Sequence, residues 1–193
     1  MRKKAFYFVN AITVYRIVAA PVLLYTILID EYTLFIYLLA VSFFTDLIDG
    51  MLARMLHVTS DIGTRLDSIG DDLTVLMAFL ALIIYKEEFF HANMYYFITV
   101  FGLFILQNIF ALLKYRKTTS YHTYLAKAAA IFQGLFFLQI FFLPQPMLPL
   151  FYLAVIFTGL ELLEEILLVY VMPRWQSNVK GLYWVLGKHT AQM

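Results

Sequence analysis

Apolar runs of roughly bilayer-spanning length, parted by brief polar breaks, set the rhythm of this chain. A helix needs about 20 apolar residues to cross the hydrocarbon of a bilayer. Six segments meet that need: about Ile12–Ile29, Thr33–Leu52, Leu66–Tyr85, Met94–Leu113, Leu125–Leu143 and Leu148–Val171. The breaks hold turn or charged residues, as in Asp30-Glu31, Lys86-Glu87-Glu88 and Pro144-Gln145-Pro146. No internal repeat, low-complexity tract or long linker divides the chain, so residues 1–193 read as a single domain. The pattern predicts an all-α polytopic membrane protein with six transmembrane helices.

Two flanks differ from the spans. Arg2–Val9 mixes basic and aromatic residues and reads as a short N-terminal interfacial segment. The tail from Pro173 sets Trp175, Tyr183 and Trp184 among Arg174, Lys180 and Lys188, the mix of an interfacial belt. A cleaved signal peptide fits the N-terminus poorly, because no small-residue cleavage site ends its apolar run.

Composition agrees with the pattern. Hydrophobic residues make up 63% of the chain and charged residues 14%, too little polar sequence to cover a soluble fold of this size. Lipid removes that need. With no cysteine, disulfides, thiolate metal sites and cysteine nucleophiles are excluded. The net charge of +1 says little, but its distribution sets an orientation. With the N-terminus cytoplasmic, Lys86 is the one basic residue of the 14 that falls on the opposite side. Cytoplasmic loops carry the excess of lysine and arginine, so both termini and the polar ends of spans two and three are expected in the cytoplasm.

Those ends concentrate the chemistry. Asp46 and Asp49 are three apart and share a helix face, which Gly50 and Ala53 continue. Asp67 and Asp71 are four apart and share another. Consecutive spans run antiparallel, so the two pairs meet at one mouth. Four carboxylates there repel unless cations lie between them, and oxygen-only ligands suit Mg²⁺ or Mn²⁺ rather than zinc. Gly50 and Ala53 leave a bare strip for a flat base, and the guanidinium of Arg54 matches phosphate oxygens. Two metals and an arginine suit phosphoryl-type transfer, and Asp71 is the natural base for an attacking hydroxyl. Helix capping explains such a pair badly, since apolar sequence continues past Asp46 and Asp49 and charge near membrane depth is costly. A carboxylate-lined transporter is the alternative of another class. The acids gather on one side only, whereas a transporter needs a polar route across.

The eight fixed positions Asp46-x2-Asp49-Gly50-x2-Ala53-Arg54-x8-Gly63-x3-Asp67-x3-Asp71 resemble the signature of the CDP-alcohol phosphotransferase (CDP-alcohol phosphatidyltransferase) family. The resemblance implies a homodimeric membrane enzyme in which a hydroxyl attacks the β-phosphate of a CDP-linked lipid and CMP leaves. It implies two Mg²⁺ or Mn²⁺ ions held by Asp46, Asp49, Asp67 and Asp71, with Asp71 also the general base. It implies that Asp49, Gly50, Ala53, Arg54, Gly63 and Asp67 contact the CDP moiety.

The opening Asn10-Ala-Ile-Thr13-x2-Arg16-x4-Pro21 is similar to that of the phosphatidylglycerophosphate and cardiolipin synthase branch. That likeness points to CDP-diacylglycerol as donor and glycerol 3-phosphate as leading acceptor. Asp67-Ser68-Ile69-Gly70-Asp71-Asp72 departs from that branch, which carries a lysine after its last aspartate. Inositol phosphate, inositol, serine and phosphatidylglycerol therefore stay open as acceptors. Arg16, Lys127 and Arg116 are the candidates for an acceptor phosphate, beside ordinary positive-inside bias. Glu161, Glu164 and Glu165 are expected in a structural ion pair near the cytoplasmic end of span six, with Arg16, Lys127 or Arg174 as partner, or as an extension of the polar cavity.

Overall fold

The computed structural model describes residues 2–55, 61–119 and 121–190, with the side chains of 2–13, 47, 49–55, 61, 62, 64, 65, 67 and 188–190 outside that description. Among the described residues there are helices and short connections and no strand: α1 (Arg2–Leu28), α2 (Tyr32–Met55), α3 (Asp61–Tyr85), α4 (Glu87–Ala92), α5 (Met94–Tyr115), α6 (Tyr124–Phe142), α7 (Leu148–Val171) and α8 (Leu182–Thr190). All six apolar segments found in the sequence lie on helices. Among the described residues, Ser68–Tyr85, Met94–Tyr115 and Tyr124–Phe142 are long and apolar enough to cross a membrane, and Val14–Leu28 of α1 and Tyr32–Asp46 of α2 are further apolar stretches. α7 is as long, but Glu161, Glu164 and Glu165 interrupt its apolar surface. Arg2–Val9 is no separate element, because the backbone runs helically from Arg2 through Pro21 to Leu28.

The chain forms two compact units, Met1–Phe90 and His91–Met193. In the first, α1 packs against both α2 and α3. Its buried face is Arg16, Ala19, Ala20, Leu23, Thr26 and Ile27, spaced three, four and seven apart as one helical stripe requires. Val18, Val22, Tyr25 and Leu28 cover the opposite, exposed face, apolar as a lipid-facing surface is. α2 buries Phe35, Leu39 and Ser42, and α3 buries Thr74, Met77, Ala78, Ala81 and Leu82. The alanines let the backbones approach closely, the usual basis of packing between membrane helices. The turn between α1 and α2 closes on Asp30 at φ 58°. The Glu31 N–H donates to Thr26 O at 2.9 Å and the Asp30 N–H to Ile27 O at 3.2 Å. That pair of bonds is the Schellman closure, which satisfies the last helical carbonyls.

In the second unit α7 packs on α5 and α6, and α8 packs on α7. Phe151 is fully buried among Tyr96, Phe97, Phe136 and Tyr152 at ring separations of 5.3–5.7 Å. α6 starts at Thr123, whose hydroxyl accepts from the Ala126 N–H at 3.1 Å.

A candidate active site at the polar end of three helices

The buried stripes of the first unit extend into its charged residues. Asp46 lies four residues beyond Ser42 and seven beyond Leu39, so it continues the buried face of α2. Asp71 lies three before Thr74 and seven before Ala78 and continues that of α3. Arg16 stands one turn before Ala19 and Ala20 on α1. Three helices of alternating direction thus bring one cation and two carboxylates to one end of their shared core.

There the guanidinium of Arg16 donates through Nη1 to Asp46 Oδ1 and to Asp71 Oδ1. Arg16 is 1% exposed, whereas the two carboxylates keep 36% and 35%. The arginine is interior and the acids stay within reach of a solute. Arginine suits this place because it holds its charge when buried and carries several donors in a planar fork. Bonds of this kind between ionised partners are the strong ones.

Gly70 was not singled out in the sequence, yet it lies close against this arrangement. A Cβ built there would lie 3.4 Å from Arg16 Cβ, 3.6 Å from Cζ and 3.7 Å from Nε. The arginine side chain therefore runs along bare α3 backbone on its way to the aspartates. Its signal in the sequence is a glycine one residue before Asp71 and seven after Gly63. Thr74 Oγ1 donates to Gly70 O at 2.8 Å just below.

Arg16, Asp46 and Asp71 are thus brought together. Gly63 is half-buried in the first turn of α3. The side chains of Asp49, Gly50, Ala53, Arg54 and Asp67 lie outside the described residues. Asp72, the acid that stands where the similar branch has a lysine, is exposed. Among the described residues no group of three metal-ligating side chains forms. The donor set nonetheless fits a divalent cation. Carboxylate oxygens from two helices already converge on one positive group, and hard oxygens are what Mg²⁺ and Mn²⁺ prefer.

In the second unit Arg116 ends α5 with φ 56° and is exposed. Lys127 is exposed too, its Nζ 5.2 Å from the centroid of the Tyr124 ring. Two of the glutamates of α7 accept hydrogen bonds from neutral donors. Glu165 is 7% exposed and accepts from Gln107 Nε2 at 2.8 Å and from Thr119 Oγ1 at 2.6 Å. Glu164 Oε1 accepts from the Leu182 N–H at 2.9 Å. These donors come from Gln107 on α5, from Thr119 just beyond α5 and from the first residue of α8. Lys114 donates to Val169 O and Tyr170 O at 2.8 and 3.0 Å, a cation on the last carbonyls of α7.

Residues 6–167 match the family model of CDP-alcohol phosphatidyltransferases. The chain belongs to that family. No curated protein and no solved structure gives a significant match. Phosphatidyl transfer from a CDP-alcohol to an alcohol acceptor is the chemistry of CDP-alcohol phosphatidyltransferases, and a lipid environment fits the three long apolar helices. The match runs across both compact units, so the family fold takes in the α5–α7 helices as well as the aspartate-bearing end of α2 and α3.

Proposed function

We propose that this protein is a metal-dependent phosphatidyltransferase that moves the phosphatidyl group of CDP-diacylglycerol to an alcohol, with glycerol 3-phosphate the leading acceptor. The observation that carries the proposal is the convergence of Asp46 and Asp71 on one cation within the eight-position motif. In the full reading six helices span the bilayer, both termini and the aspartates face the cytoplasm, and the enzyme works as a homodimer. The lysine and arginine distribution supports that orientation.

Asp46, Asp49, Asp67 and Asp71 would hold two Mg²⁺ or Mn²⁺ ions, which supply charge neutralisation to the pyrophosphate and its leaving group. Gly50, Ala53 and Gly63 would give the cytidine a surface with no side chain larger than a methyl, and Arg54 would meet phosphate oxygens. Asp71 takes the proton of the acceptor hydroxyl. The hydroxyl oxygen bonds to the β-phosphorus, the bond from that phosphorus to the bridging oxygen breaks, and CMP departs with the electron pair. Arg116 and Lys127 are the second unit's candidates for an acceptor phosphate.

The test is CMP release by purified protein given CDP-diacylglycerol, Mg²⁺ and one acceptor at a time. The panel is glycerol 3-phosphate, inositol 1-phosphate, inositol, serine and phosphatidylglycerol. Release with glycerol 3-phosphate that stops on chelation is the expected result. Release with another acceptor moves the specificity, and release that survives chelation removes the metal ions from the mechanism.

A further inference from the structure

Arg16 is a cation placed between the carboxylates that, on the proposed function, hold metal. This inference rests on that function and deepens it. An arginine remains charged at any physiological pH, so its burial is sustained only by the acids around it. Asp46 and Asp71 come from helices α2 and α3, and one nitrogen, Nη1, serves both. The guanidinium is thus a tethered counter-ion that holds the mouth of the site together. A divalent ion held by Asp46 and Asp71 would take over that neutralisation and would repel the guanidinium. The side chain is long, and it lies against Gly70, where no Cβ blocks it.

We propose that Arg16 is the resident counter-cation of the site. It pairs with Asp46 and Asp71 when metal is absent, is displaced from them when a divalent cation binds, and then turns its donor fork to the phosphate oxygens of the CDP substrate. Metal occupancy and pyrophosphate binding are coupled through this one side chain. The consequence is ordered binding, metal first and nucleotide second. The same side chain that opposes the metal supports the nucleotide, so its removal moves the two affinities in opposite directions.

The experiment titrates Mn²⁺ into purified protein in detergent micelles without nucleotide, following free Mn²⁺ by electron paramagnetic resonance. CDP is then titrated at saturating Mn²⁺. Arg16→Gln is expected to bind Mn²⁺ about tenfold tighter than wild type, the effect of about 1.4 kcal/mol, and CDP about tenfold more weakly. Arg16→Lys keeps the charge without the fork, and its Mn²⁺ affinity should fall between the two. Unchanged or weaker Mn²⁺ binding by Arg16→Gln overturns the proposal while leaving the metal-dependent reading in place. Absence of Mn²⁺ binding by wild type overturns both. A second readout needs no glutamine variant: in wild-type protein labelled with ¹⁵N, the hindered Arg16 Nη resonance should disappear as Mg²⁺ is added. Its persistence at saturating Mg²⁺ overturns the displacement.

Discussion

Gly70 offers the sharpest test of the packing around Arg16, because alanine and valine there should act in opposite directions. The Cβ of an alanine would meet Arg16 Cβ at 3.4 Å and Cζ at 3.6 Å, ordinary contact distances that require no movement. Gly70→Ala also removes the cost of glycine inside a helix, about 0.8–1 kcal/mol. The sum is a stabilisation of up to about 1 kcal/mol with activity retained. Valine adds methyls a further 1.5 Å or so beyond Cβ, a single C–C bond. Directed at Cζ and Nε, which lie 3.6 and 3.7 Å from Cβ, they force the guanidinium aside. Overpacking costs about 1–3 kcal/mol, and each weakened bond to a charged group costs about 1.5–3 more. The aspartates are partly exposed, which reduces that second figure toward its lower end. With one of the two bonds weakened, Gly70→Val should therefore lose about 2.5–4.5 kcal/mol. Reversible unfolding in mixed micelles without metal is the assay, with CMP release alongside. Equal effects of alanine and valine would refute the close approach of α3 to Arg16, and a loss above about 1 kcal/mol for alanine would refute the room for a methyl there.

Three further outcomes are expected. Asp71→Asn should abolish CMP release while leaving CDP-diacylglycerol binding largely intact, as equilibrium binding would show; full turnover would remove Asp71 as the base. Glu165→Ala strips the acceptor from Gln107 and Thr119. These two still bond each other at 2.6 Å, so neither is orphaned, and the loss should be about 1–2 kcal/mol, the range of hydrogen bonds between membrane helices. Burial raises the Tyr121 hydroxyl above the usual tyrosine value of 10.0, with neighbouring Tyr115 and the charge of Glu165 adding to the shift. A raised folded value means that its contribution is fully present below pH 10 and is lost above it, as the unfolded chain ionises first. Tyr121→Phe should flatten stability between about pH 10 and 11 in a pH series of unfolding midpoints.

The paired aspartates were legible from the sequence, and the cation that Asp46 and Asp71 meet was not. Aspartate spacing of three and four places each pair on a face whatever the helix packs against. The partners of Arg16 lie 30 and 55 residues away, and nothing local to α1 distinguishes them from a substrate phosphate. Glu165 follows the same rule. Its acidity inside an apolar run announced a buried role, but Gln107 and Thr119 are 58 and 46 residues distant, so an ion pair and a neutral pairing read alike.

The sequence by itself determined the helical segments and the family, because these follow from run length and residue type at fixed spacing. Only the tertiary structure decided which face of each helix is buried. In a soluble helix the polar side names the solvent and leaves the core to the other. Here Val18, Val22, Tyr25 and Leu28 on the outside of α1 are as apolar as Leu23 and Ile27 within, since lipid takes the place of water. Periodicity is silent under those conditions. The buried stripe, and the meeting of Arg16, Asp46, Gly70 and Asp71 at its end, emerge only when three backbones pack on their small residues.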